Sequence, residues 1–129
     1  MDEKQIAMQE YKELSEKLES LEREVEYIAV QTNEIKKAIA FLEDVCNNEI
    51  TEDSEILFPV ASGIFIRTKK AAVKETLINI GGNIILKKPA SETLEILRKR
   101  LSEFKEYEKN LSYVSNDLIN KLNEFRGKL

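Results

Sequence analysis

Apolar residues recur in alternating steps of four and three through the first third of the chain. They fall at Ala7, Tyr11, Leu14, Leu18, Leu21, Val25, Ile28, Thr32, Ile35, Ile39, Leu42 and Cys46, with Thr32 the polar exception. A helix that holds this period in phase buries one narrow stripe against a partner helix, which is the seam of a coiled coil. Tyr11, Leu18, Val25, Thr32, Ile39 and Cys46 occupy position a and the others d. A second series runs through Leu94, Leu97, Leu101, Phe104, Glu108, Leu111, Ser115, Leu118, Leu122, Phe125 and Leu129, with Glu108 and Ser115 polar. Each seam covers about 35 residues, or ~52 Å of helix. Two seams of equal length joined by a short insert predict an antiparallel pair, with Leu42 facing Leu94 at the base and Ala7 facing Leu129 at the far tip. That register puts Thr32 within about one turn of Glu108 and Ser115 opposite Leu21. The polar seam residues thus gather midway along the coil, where either they fix the register, or Thr32 donates its hydroxyl to its own helix and Glu108 reaches solvent by its stem. Off the seams, Glu13/Lys17, Glu19/Arg23 and Glu95/Lys99 stand in the Glu-first order that favours helix.

The insert changes period. Asn47-Asn48 and the polar stretch from Glu49 to Glu55 end the first helix, and Pro89 suits the first position of the second, where a missing N–H costs nothing. Ile56–Val60, Gly63–Ile66, Leu77–Ile80 and Ile84–Leu86 are short, β-branched runs bounded by Ala61-Ser62-Gly63 and Gly81-Gly82-Asn83. They read as two hairpins, the second strand running to about Ala72 and turning near Val73 to Glu75. The runs are continuously apolar, so both faces need cover, which two hairpins alone cannot supply. The expected fold is therefore α+β: a single unit with a helix over 1–48, two hairpins over 56–88 and a helix over 89–129.

Composition excludes several function classes. At 129 residues the chain is one structural unit, and its 34% charged share suits long helices with solvated flanks. The net charge of −4 argues against nucleic acid, and the short basic runs read as solvated faces. No apolar run approaches the ~20 residues of a membrane span. Cys46 is the single cysteine, so no internal disulfide forms; with no signal pattern at Met1–Lys4, a cytoplasmic location is expected. Histidine is absent, which removes His-based triads, general bases and imidazole ligands. Cys46 sits on the seam as a small apolar filler. Gly81-Gly82 precedes a strand and lacks the Lys-Ser/Thr of a phosphate loop, so it is a turn. No catalytic, metal or cofactor site is expected, and the chain is not read as an enzyme.

The segment Leu57-Phe58-Pro59-Val60-Ala61-Ser62-Gly63-Ile64-Phe65-Ile66 resembles the "LvPiGaGsFl" pattern of α-class prefoldin subunits, and Ile80-Gly81-Gly82-Asn83-Ile84-Ile85-Leu86-Lys87 is similar to their "vGsGyaVe". The architecture is similar over the whole chain; the specific motifs span about thirty residues. Ala61 and Asn83 stand where the family has glycine, Thr68 where glycine is common and Ile84 where an aromatic is frequent. The resemblance implies a hexamer of two α-class and four β-class subunits whose hairpins form a double β-barrel. Six coils hang from it; their tips hold unfolded proteins and hand them to a group II chaperonin without ATP. Oligomerisation then falls to Leu57, Pro59, Val60, Gly63, Phe65, Ile78, Ile80, Gly81, Ile84 and Leu86. Client holding falls to Ile6, Met8, Tyr11, Ile119, Leu122, Phe125 and Leu129, of which Ile6, Met8 and Ile119 lie off the seam. Tyr27, Val30 and Tyr113 are further outward apolar positions. The rival reading is a structural coiled coil, a spacer, tether or filament subunit assembled through the same β-region. A chaperone slows aggregation of a denatured protein; a spacer does not.

Overall fold

The computed structural model describes residues 2–128. Helix α1 (Glu3–Cys46) leads into strands β1 (Glu55–Ala61) and β2 (Ile64–Lys69), a 3-10 turn (Lys70–Ala72), strands β3 (Glu75–Gly81) and β4 (Ile84–Pro89), and helix α2 (Ala90–Lys128). The chain divides into two compact units. One comprises the chain up to Thr32 and from Glu103 on; the other is Asn33–Ser102.

In the first unit the helices run antiparallel. Arg126 Nε donates to Tyr11 Oη at 3.1 Å, the Tyr107 hydroxyl donates to Glu24, and the Thr32 hydroxyl donates to Glu108 Oε1 at 2.8 Å. The described seam positions of this unit are buried or half-buried, except Val25 at the margin. Asp2 caps α1 reciprocally: its Oδ1 accepts the Gln5 N–H at 2.9 Å, and the Gln5 side chain accepts the Asp2 N–H at 3.2 Å. Among the described residues, Glu13/Lys17 and Glu19/Arg23 do not close into ion pairs, and Glu95 pairs with Arg98 at 2.8 Å rather than with Lys99. Water competes well for exposed charges, so such pairs are weakly held.

The second unit holds the core. Ile39, Phe41, Leu42, Val45, Ile56, Ala90, Leu94 and Leu97 form one buried cluster, in which Leu42 and Leu94 come together as the seam predicts. Phe41 and Val45 are not seam positions. With Ala38 they form a second apolar stripe on the last turns of α1, and this stripe carries the first hairpin. Ile56 is buried in the cluster, and Phe58 meets Phe41 edge-to-face with ring centroids 5.1 Å apart.

Both hairpins close through two-residue turns with positive φ at both central residues: Ser62 (52°) and Gly63 (76°), then Gly82 (58°) and Asn83 (63°). This twist matches the flanking strands. Asn83 adopts the left-handed conformation as asparagine can. Ala61 lies at the end of β1 without positive φ, so losing a glycine there costs nothing, whereas Gly81 at the corresponding end of β3 has φ of 111°. Each hairpin has an irregularity two residues before its turn, between Pro59 and Ala61 and between Asn79 and Gly81. The hairpins repeat each other at a 20-residue offset, with Glu55, Leu57 and Ile64 recurring as Glu75, Leu77 and Ile84.

Strand β2 stops at Lys69, not near Ala72, because the 3-10 turn carries Lys70 inward. Lys70, 7% exposed, donates through Nζ to the carbonyls of Asn47 (2.6 Å) and Ile50 (2.8 Å), while its own N–H and that of Ala71 bond Ser54 and Glu52. Helix α1 has no basic residue in its last turn, so this cation serves the carbonyls just beyond its C-terminus. Lys70→Met is expected to lower stability by about 1–2 kcal/mol, since it takes its partner from the Ile50 carbonyl and leaves that of Asn47 only the Ile50 N–H. Urea unfolding checks this against Lys69→Met, whose exposed side chain should be neutral. The second helix starts one residue later than Pro89 suggests. Pro89 stays in β4 opposite Glu75, and the Ala90 N–H donates to Lys74 O at 3.2 Å.

Candidate functional site

Two surfaces carry the residues singled out above. The first is the β-region. Each hairpin is a separate two-stranded sheet, and among the described residues no strand of one pairs with the other. Every strand therefore presents one open row of backbone donors and acceptors. The pleat sorts the side chains. On the inner faces Ile56 and Ile78 are buried, Phe58 rests on Phe41, and the Thr76 and Thr93 hydroxyls bond each other. On the outer faces lie Leu57 and Phe65 in one hairpin and Leu77 and Ile85 in the other, with Leu77 74% exposed. Ion pairs close the base of each outer face, Arg67–Glu55 at 3.4 Å and Lys87–Glu75 at 2.9 Å. Arg100 donates to Asn79 O at 3.0 Å and ties β3 to α2.

Between the hairpins lies an open, mainly apolar cleft of about 610 Å³ lined by Phe58, Ile66, Thr68, Ile78, Phe41 and Leu97, among others. Thr68, which takes the place of a common glycine, is half-buried there opposite Ile56. Of the residues expected to join subunits, Leu57, Val60, Phe65, Ile80, Ile84 and Leu86 are exposed, Pro59 is half-buried, and Gly63 and Gly81 lie exposed at the turns. Ile78, by contrast, is 6% exposed and packs inside the subunit. Sequence reasoning missed Phe58, Ile64, Ile66, Leu77 and Ile85, all of them exposed. Their signal was the unbroken apolar run itself. Open edges beside apolar faces of this extent are the features of an incomplete sheet awaiting partner strands.

The second surface is the helix tips. Ile6, Met8 and Ile119 are exposed, Met8 to 62%. Tyr11 and Phe125 are half-buried, Leu122 is buried in the seam, and Leu129 lies outside the described residues. Tyr27, Val30 and Tyr113 are exposed along the helices. Tyr107 is pushed above its ordinary pKa of 10.0, first by the hydrogen bond it donates to Glu24, then by desolvation and the carboxylate's charge. A raised phenol pKa contributes stability that is present below the unfolded value and lost as pH rises through the folded one. Ultraviolet titration should show Tyr107 ionising at higher pH than it does in the Glu24→Ala variant.

Among the described residues no three His, Cys, Asp or Glu side chains gather as a metal site, and no helix is long and apolar enough to cross a membrane. The family model "Prefoldin subunit" matches residues 14–129. Prefoldin subunit alpha of Methanothrix thermoacetophila is 31% identical over 102 residues, 79% of this chain; the match spans 65% of that relative's length. Prefoldin subunit alpha of Thermofilum pendens is 27% identical over 121 residues, 94% of this chain and 92% of that one. The fold is similar to a filamentous PFD of Methanocaldococcus jannaschii solved by cryo-EM, with a TM-score of 0.62 at 17% identity over 97% of this chain and 99% of that one. With two hairpins between two long antiparallel helices and a family match over most of its length, the chain belongs to the prefoldin family, as an alpha-class subunit.

Proposed function

We propose that the chain is a non-enzymatic, ATP-independent chaperone subunit. It assembles through its hairpins with β-class subunits, two α to four β, into a hexamer with closed β-barrels, and its helix tips hold unfolded proteins for transfer to a group II chaperonin in the cytoplasm. The observation that carries the reading is the pair of apolar, open-edged hairpins, which exposes more strand surface than an isolated subunit can keep in water. The helix tips support the second half. Exposed Ile6, Met8 and Ile119 lie off the seam, where they can meet a client without unzipping the coil, and methionine adapts to irregular partners.

The test is aggregation of a denatured protein with and without the assembled complex. The intact complex should suppress it. Ile6→Ser combined with Met8→Ser and Ile119→Ser should lose most of the suppression while the mass of the complex is unchanged. A complex of the right mass that never suppresses aggregation is a spacer or tether instead. Suppression that survives the triple substitution moves the client surface away from the tips, toward Tyr27 and Val30.

A further inference from the structure

We propose that the outer face of α1 in the first unit selects cationic clients: unfolded segments in which Lys and Arg flank apolar residues. The inference rests on the client-holding reading above and names the substrate class of that surface. Residues 1–32 contain nine acidic and four basic side chains, a net charge of −5, whereas 103–129 contain five of each. Glu10, Glu13, Glu16, Glu19, Glu22 and Glu26 are all exposed, and none of them is in an ion pair with another described residue. Interspersed on the same helix are the exposed apolar side chains Ile6, Met8, Tyr27 and Val30.

Side chains three and four apart on a helix are neighbours, closer than the ~8 Å screening length of physiological salt, so the fields of successive glutamates add, offset in part by Lys12, Lys17 and Arg23 on the same helix. Apolar anchors supply adhesion, and the exposed ring face of Tyr27 can also take a cation. A polyanionic segment with the same apolar content meets repulsion along the helix and is excluded. Residues 33–54 stay acidic, with six acidic and two basic side chains, and the sign reverses only in the β-region, where residues 55–89 carry two acidic and six basic.

Two labelled unfolded peptides, identical in apolar residues but with lysines or glutamates at the polar positions, are titrated with the full chain and followed by fluorescence anisotropy. The lysine peptide should bind about tenfold more tightly or better at low salt, and this advantage should vanish in 1 M salt, where the screening length is ~3 Å. Glu13→Gln with Glu16→Gln and Glu19→Gln should remove most of the advantage with unchanged helix content, leaving the glutamate peptide bound no more weakly than before. Equal binding of the two peptides overturns the inference while sparing client holding; so does an advantage that survives high salt or the triple variant. Failure of both peptides to bind overturns the client-holding reading itself.

Discussion

Replacing Ile80 with Lys is expected to abolish assembly while leaving helix content at the wild-type level. Ile80 is exposed on β3, two residues from a turn whose backbone it does not define. In the lone subunit a lysine there stays solvated and costs little. In an assembled sheet its ammonium is taken out of water opposite apolar strands, at a cost of about 3 kcal/mol or more without a partner charge. That weakens association roughly a hundredfold per contact, and repetition around a ring multiplies it. Ile78→Lys makes the contrast. Ile78 is two residues away but buried within the subunit, so its replacement should unfold the second unit and lower the melting temperature along with assembly. Light-scattering mass and far-ultraviolet circular dichroism read the two effects separately. An Ile80→Lys chain of full assembled mass would show that the open strands are not where subunits join.

What the sequence makes legible follows from period. The seams could be read because each turn of helix repeats the same demand on one stripe, and Thr32 and Glu108 stood out because they break it. The hairpins could be read because β-branched runs end at Ser62-Gly63 and Gly82-Asn83, where Gly63, Gly82 and Asn83 suit positive φ. A capping box is also written at the start of α1, in Asp2 and Gln5. Phe41 and Val45 were missed because a single-seam reading assigns each residue one face, while the base of α1 serves two. The role of Lys70 was beyond sequence reasoning. It depends on a 3-10 turn folding back onto residues 47 and 50, more than a dozen positions earlier, and nothing in Lys69-Lys70 distinguishes the buried lysine from the exposed one. The ionic bases of the hairpins were obscured for a similar reason. Glu55–Arg67 and Glu75–Lys87 become a matched pair only once the register aligns the 20-residue repeat.

Thr32→Ile combined with Glu108→Leu is expected to raise the melting temperature of the coil and to weaken capture of large clients. Thr32 is 5% exposed, and its hydroxyl donates across the seam to the half-buried Glu108 carboxylate at 2.8 Å. A hydrogen bond to a charged group contributes about 1.5–3 kcal/mol, but drawing the carboxylate partly out of water offsets much of that. Two apolar side chains packed as an ordinary seam layer avoid the desolvation altogether, so the double variant should be the more stable. The single substitutions should each destabilise. Thr32→Ile strands a half-buried carboxylate, and Glu108→Leu leaves the hydroxyl only its own helix to bond. A double-mutant cycle should therefore return a coupling on the order of 1–2 kcal/mol. The geometry of the bond rewards one register and no other, whereas an apolar layer tolerates a shift. The layer thus trades stability for a fixed register with a weak point in it, and that weak point is what would let the distal helices part around a client. Amide exchange over residues 11–32 should slow in the double variant as capture of large clients falls. A more stable coil with unchanged exchange and unchanged capture would confine the Thr32–Glu108 bond to setting register.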